Sequence, residues 1–108
     1  MKRPLLTVVL AVGLASATSG EPIRVVASIP DFGAIAAAIG GADVAVDSIV
    51  KGNRDVHAVE LLPSLMMKVR KADVYVKVGL DLDLWAQQII DGSRNPRLLV
   101  VDASEGIA

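Results

Sequence analysis

From Arg24 onward the chain alternates short β-branched runs with stretches whose apolar residues recur at helical spacing. Arg24-Val25-Val26-Ala27-Ser28-Ile29 reads as a first strand, ended by Pro30. Asp31 has the side chain of an N-cap, and Phe32, Ile35, Ala36 and Ile39 then fall at i, i+3, i+4 and i+7, one face of a helix. Gly40-Gly41 is expected to close that helix in a left-handed cap, and Val44 to Ile49 forms a second strand. A loop from Val50 to Leu62 follows. Pro63 suits the first turn of a second helix, with Leu65, Met66, Val69 and Ala72 on its inner side. Asp73 to Val78 is a third strand broken by Gly79, and Asp81 and Asp83 stand near the start of a third helix that runs through Trp85 to about Ile90. Gly92 to Pro96 is a turn, and Leu98 to Val101 a fourth strand.

Strand and helix repeated in this way predict an α/β fold: an open parallel sheet with right-handed crossovers and helices on both faces. No tandem repeat or low-complexity linker divides the segment. The residues after the fourth strand, Asp102 to Ala108, carry no covering helix. Parallel strands are normally covered on both faces, so the pattern reads as a truncated lobe.

The first residues fall outside the alternation. Lys2 and Arg3 precede an apolar run from Leu5 to Leu14, too short for a membrane span, and Ala15-Ser16-Ala17 offers the small residues of a signal-peptidase site. Residues 1–17 are therefore expected to be a signal peptide and 18–108 the mature α/β lobe, exported to the periplasm. No cysteine follows the cleavage site, so there is no lipid attachment point and no stable membrane insertion is expected. Lys2 and Arg3 leave with the signal, so 9 basic residues face 12 acidic ones and the net charge moves from −1 to −3. That balance argues against nucleic acid or an anionic membrane surface as partner. The absence of cysteine means the exported core rests on packing alone.

The candidate chemistry centres on His57, the single histidine. Apart from three methionines it is the one soft or borderline metal ligand in the chain. Ligands of open α/β sheets bind beyond the carboxyl ends of the strands. The loop that carries His57 leaves such an end and exceeds the usual strand–helix connection in length. Asp55 could orient the imidazole by accepting its second N–H; Glu60 could do the same or cap the following helix. Nucleophilic readings are poorly supported: Ser28 and Ser64 lie in no Gly-x-Ser-x-Gly elbow. Asp81 and Asp83 are two residues apart and would not face each other on a helix, so capping is the expected role. No phosphate-binding glycine fingerprint is present. Gly33 and the alanines around it read as small residues that permit close helix–sheet packing. Trp85 reads as a packing anchor or a cleft wall.

Several segments occur in one order: Val25 to Phe32, Ile39-Gly40-Gly41-Ala42-Asp43-Val44, Asp55-Val56-His57 with Glu60 and Pro63-Ser64, Lys71-Ala72-Asp73-Val74, and Gly79-Leu80-Asp81-Leu82-Asp83 with Trp85. Together they resemble the N-terminal lobe of the periplasmic zinc- and manganese-binding proteins of ABC importers. The resemblance implies a two-lobed solute-binding protein in which His57 is the first protein ligand of Zn²⁺, or alternatively Mn²⁺. It implies that the remaining ligands lie outside this chain, and that an inner-membrane ABC permease receives the metal. Val56 stands where that family usually has Pro, and Asp83 where it commonly has Glu. No catalysis is expected on this reading. Two other readings stay open: a binding protein of similar fold for an organic solute, and an exported α/β hydrolase-like enzyme using Asp55 and His57 as acid and base.

Overall fold

The computed structural model describes residues 20–52 and 54–107; the expected signal peptide, residues 1–17, lies outside them. The elements are β1 (Ile23–Ala27), α1 (Pro30–Gly40), a 3₁₀ turn (Gly41–Asp43), β2 (Val44–Ser48), α2 (Pro63–Arg70), β3 (Val74–Lys77), α3 (Trp85–Ser93) and β4 (Leu99–Asp102). The four strands form one parallel sheet in the order β2-β1-β3-β4, as the alternation predicts. The chain leaves β1 for β2 on one side and returns to β3 on the other, so β1 and β3 flank the topological switch point.

Side chains of neighbouring strands alternate between two faces. Val26 pairs with Tyr75 in register, and both join Ile49, Val50, Val69, Ala72, Trp85, Ala86 and Ile89 in the main core. This is the face covered by α2 and α3; Leu65, Met66 and Val69 of α2 face it as the helical spacing selects, and Ala72, expected on the same helix, is buried there just beyond its end at Arg70. Tyr75 is fully buried with its hydroxyl 2.6 Å from Ser28 Oγ, also buried. Burial pushes the Tyr75 phenol well above its ordinary range, although the Ser28 hydrogen bond pulls the other way.

On the opposite face α1 packs against β1 and β2, through two of the four residues the helical spacing selects, Phe32 and Ala36, but not through the two isoleucines. Ile35 and Ile39 are 55% and 83% exposed. The less exposed side is Phe32, Gly33, Ala36 and Gly40. Gly33 is the reason: a Cβ there would come within 3.3 Å of Val46 Cγ1. The helix therefore seats its small-residue side on the sheet, and the isoleucines rotate outward. Close packing through Gly33 matches the expectation; of the four residues at helical spacing, Phe32 and Ala36 share its face while Ile35 and Ile39 do not.

Two capping expectations also change. Ile29, not Asp31, is the N-cap residue of α1, because Pro30 occupies the first helical turn and moves the start forward. Gly41 has a positive φ of 54° as expected, but its ψ of −127° lies outside the left-handed helical region. On β4, Leu99, Val100 and Val101 are exposed.

Candidate metal centre

The loop from Ile49 to Leu62 starts at the C-terminal end of β2. Its base prolongs the sheet: Ile49 N donates to Ala27 O (2.9 Å) and Val50 N to Ser28 O (3.0 Å). Its middle is pinned elsewhere, because the Trp85 indole Nε1–H donates to Val56 O at 2.5 Å. Trp85 opens α3, the helix after β3. The loop therefore passes the end of β1 and reaches the far side of the switch point, with Val56 and Val59 packed against the core around Trp85. Trp85 is 8% exposed, so the packing expectation holds, and the indole adds a tether that no sequence period announces.

His57 follows the tethered residue directly, and its side chain is 64% exposed. Asp55 Oδ1 accepts a hydrogen bond from His57 N (2.9 Å) and lies 3.2 Å from His57 Nδ1. A carboxylate can only accept, so in the neutral imidazole Nδ1 carries the proton and Nε2 presents its lone pair outward. The backbone N–H of His57, and after it the imidazole, hold the Asp55 carboxyl below its usual range. An imidazole fixed in one tautomer by a carboxylate, with the other nitrogen open to solvent, is the form in which histidine binds a metal.

Glu60 is placed differently. It is exposed and lines, with Asp55, a small hollow of about 160 Å³ on the inner side of the loop that His57 does not line. Its carbonyl accepts from Leu62 N (3.0 Å). The imidazole is oriented by Asp55 and not by Glu60. Leu62 is the N-cap residue of α2, with no side-chain cap. Among the described residues no three of His, Asp and Glu converge to hold a metal ion.

The rim beside this loop holds a residue the sequence pattern misassigns. Asp83 does not cap α3; it is 4% exposed and turns back to accept from Val78 N (2.7 Å) and Gly79 N (3.0 Å) at the end of β3. The acceptor is needed there because Gly79, Leu80 and Asp81 take φ values of 83°, 52° and 63° in succession. The chain thus turns sharply and cannot prolong its ladder bonds. Asp102 stands opposite, its carboxylate accepting from Ser104 N (2.8 Å) and Oγ (2.6 Å); these bonds hold its carboxyl below the ordinary range, the hydroxyl's first. Neither serine considered for nucleophilic chemistry is placed for it: Ser28 is buried on Tyr75, and Ser64 is exposed in the first turn of α2.

A parallel sheet whose switch-point rim presents one oriented, accessible imidazole defines a ligand-capturing lobe, with no catalytic constellation among the described residues. The particular family follows from comparison: residues 25–108 match the family model ZnuA, "Zinc-uptake complex component A periplasmic", and the chain belongs to that family, which is one of metal-uptake components and not of enzymes. A putative metal-binding protein of Chlamydia muridarum is 34% identical over 67 residues, covering 62% of this chain and 24% of that protein. A crystal structure of ZnuA superposes with a TM-score of 0.73 at 28% identity, covering 81% of this chain and 33% of that one. The Zn(II)-bound ZnuA-like domain of Streptococcus pneumoniae AdcA shares the fold, with a TM-score of 0.68 at 16% identity over 82% of this chain and 33% of that one. The chain thus spans about a third of these solved structures and about a quarter of the curated relative. No helix among the described residues is long and apolar enough to cross a membrane.

Proposed function

We propose that this chain is the N-terminal lobe of a periplasmic metal-binding component of an ABC uptake transporter, with Zn²⁺ as cargo and Mn²⁺ as the alternative. Residues 1–17 act as its signal peptide and residues 18–108 as the lobe, which makes and breaks no covalent bonds. His57 Nε2 is the metal-ligating atom, and Asp55 holds the ring in the ligating tautomer. The observation that carries the reading is the exposed His57 at the switch-point rim, its Nδ1 engaged by Asp55, in a chain whose family is one of zinc uptake. Imidazole nitrogen suits zinc better than a hard cation. Zinc sites use three or four protein ligands; the others are contributed from outside this chain, and the loaded protein then docks on an inner-membrane permease.

The test is zinc calorimetry on the full-length protein. Asp55→Ala should weaken binding roughly 10–100-fold, as loss of an outer hydrogen bond does at metal sites, and His57→Ala should weaken it further. Unchanged affinity in His57→Ala removes that residue from the site.

A further inference from the structure

The edge of the sheet opposite His57 carries a second feature. Parallel strands all begin at one edge, so segments far apart in sequence meet there. Arg24 is the second residue of β1, Arg70 ends α2 with Lys71 as its C-cap, Asp73 precedes β3, and Asn95 and Arg97 precede β4. These six residues line one cleft of about 450 Å³. Four cations thus face a single carboxylate, in a chain whose overall charge is −1. One oxygen of that carboxylate is engaged by the backbone, Asp73 Oδ2 accepting from Arg24 N at 2.9 Å. The ion pairs among the described residues involve Lys51, His57, Lys68 and Lys77, and none of the four cleft cations.

Cations at a helix C-terminus have an ordinary explanation, since they satisfy and neutralise its free carbonyls. Here another group already does so. Asn95 Nδ2 donates to the carbonyls of Val69 (3.2 Å), Arg70 (3.2 Å) and Ala72 (2.8 Å), and its Oδ1 accepts from Arg97 N (3.2 Å). The end of α2 is therefore closed without the side chains of Arg70 and Lys71, which stay exposed, as do Arg24 and Arg97. The dipole argument reaches neither Arg24 nor Arg97, both at strand starts. What remains is a concave site with a floor fixed by the Asn95 bonds and three guanidinium groups free to fork onto oxyanions.

We propose that this cleft binds a phosphate-bearing anion, independently of the metal reading. The test titrates the full chain, in metal-free buffer, with pyrophosphate by calorimetry, and sediments it with vesicles of phosphatidylglycerol or of phosphatidylcholine. Saturable binding of pyrophosphate assigns the cleft to a soluble phosphate ligand; binding to phosphatidylglycerol vesicles alone assigns it to a lipid headgroup. In either case the Arg24→Gln/Arg97→Gln double variant should bind at least about tenfold more weakly, and raising the salt to about 1 M should abolish most of the binding, as exposed charges require. Both substituted residues are exposed, so the variant should melt with the parent, and a melting curve verifies it. Failure to bind either phosphate probe, or binding that the double variant leaves intact, overturns the proposal.

Discussion

Replacing Trp85 by Phe separates two roles of one side chain, filling the core and tethering the loop that carries His57. Phe keeps a six-membered ring in a site that is 8% exposed but loses the N–H that reaches Val56 O at 2.5 Å. A neutral intramolecular hydrogen bond is worth about 1 kcal/mol net. Val56 is half-buried, so water can reach its freed carbonyl and the penalty stays near that figure. The smaller ring also leaves roughly 40 Å³ unfilled, which at about 24 cal/mol per Å³ adds about 1 kcal/mol. The sum is about 2 kcal/mol. Urea denaturation of the full chain should therefore show a midpoint lowered by roughly 1 M at unchanged slope. The tether alone sets the second readout. Releasing the loop can cost zinc affinity no more than the lost bond, about fivefold for 1 kcal/mol, and a fall of about that size is expected in the full-length protein. If stability drops as calculated while zinc affinity stays put, Trp85 is a core residue only and the claim that its indole pins the His57 loop is wrong.

Three further outcomes follow from the same geometry. Asp83→Ala should lower unfolding free energy by about 3–6 kcal/mol, because two backbone N–H groups lose a carboxylate acceptor worth roughly 1.5–3 kcal/mol each; a loss below about 1 kcal/mol in urea titration would contradict the assigned role. Gly79→Ala should destabilise by at least about 2 kcal/mol, since φ is 83° and the added Cβ meets Asp102 Oδ1 and Ser104 Oγ; equal melting temperatures of parent and variant would count against it. Asp47 combines burial, which raises its pKa, with hydrogen bonds from Lys51, Lys68 (2.9 Å) and Ser48 N (2.8 Å) that bring it from the ordinary 3.8 down to about 2. A depressed folded-state pKa contributes stability above pH ~4 that disappears as pH falls toward ~2. Its side chain is 41% exposed, so the nominal value shrinks to about 1 kcal/mol after solvent screening. The stability gap between parent and Asp47→Asn should close over that interval, and a gap still open at pH 2 would refute the assignment.

What the sequence disclosed depended on whether the information was local. The strands, the Pro63 start of α2 and the α/β alternation are written in short-range period and punctuation, and they reappear within a few residues. The face of α1 is only half written there: the spacing places Phe32 and Ala36, but it ranks residues by hydrophobicity while the sheet selects Gly33 for its lack of a side chain and leaves Ile35 and Ile39 outside. Asp83 departs from its expected role for a related reason. A carboxylate before a helix fits a cap, and only the fold reveals that the unpaired N–H groups lie behind it, at Val78 and Gly79. Of the candidate site, the pairing of His57 with Asp55 is legible because the two are only two residues apart. The tether from Trp85 spans 29 residues and leaves no trace in any period.

On the proposed reading, the way His57 is mounted bears on how a lobe that supplies one ligand can serve a metal site. A single neutral nitrogen binds zinc weakly, since zinc sites draw on three or four protein ligands, and on the proposed reading affinity arises only when donors from outside this chain close on the same ion. Joint capture costs ordering free energy for every mobile ligand. Here much of that cost is met during folding: the loop base is sewn to β1 through Ile49 and Val50, its middle is fixed to α3 through Val56, and the ring is held by Asp55. Rigidity on this lobe leaves the approach of the other donors as the adjustable variable. Displacing those donors would then lower affinity steeply without any change at His57, which is how one site can hold a metal tightly and still give it up.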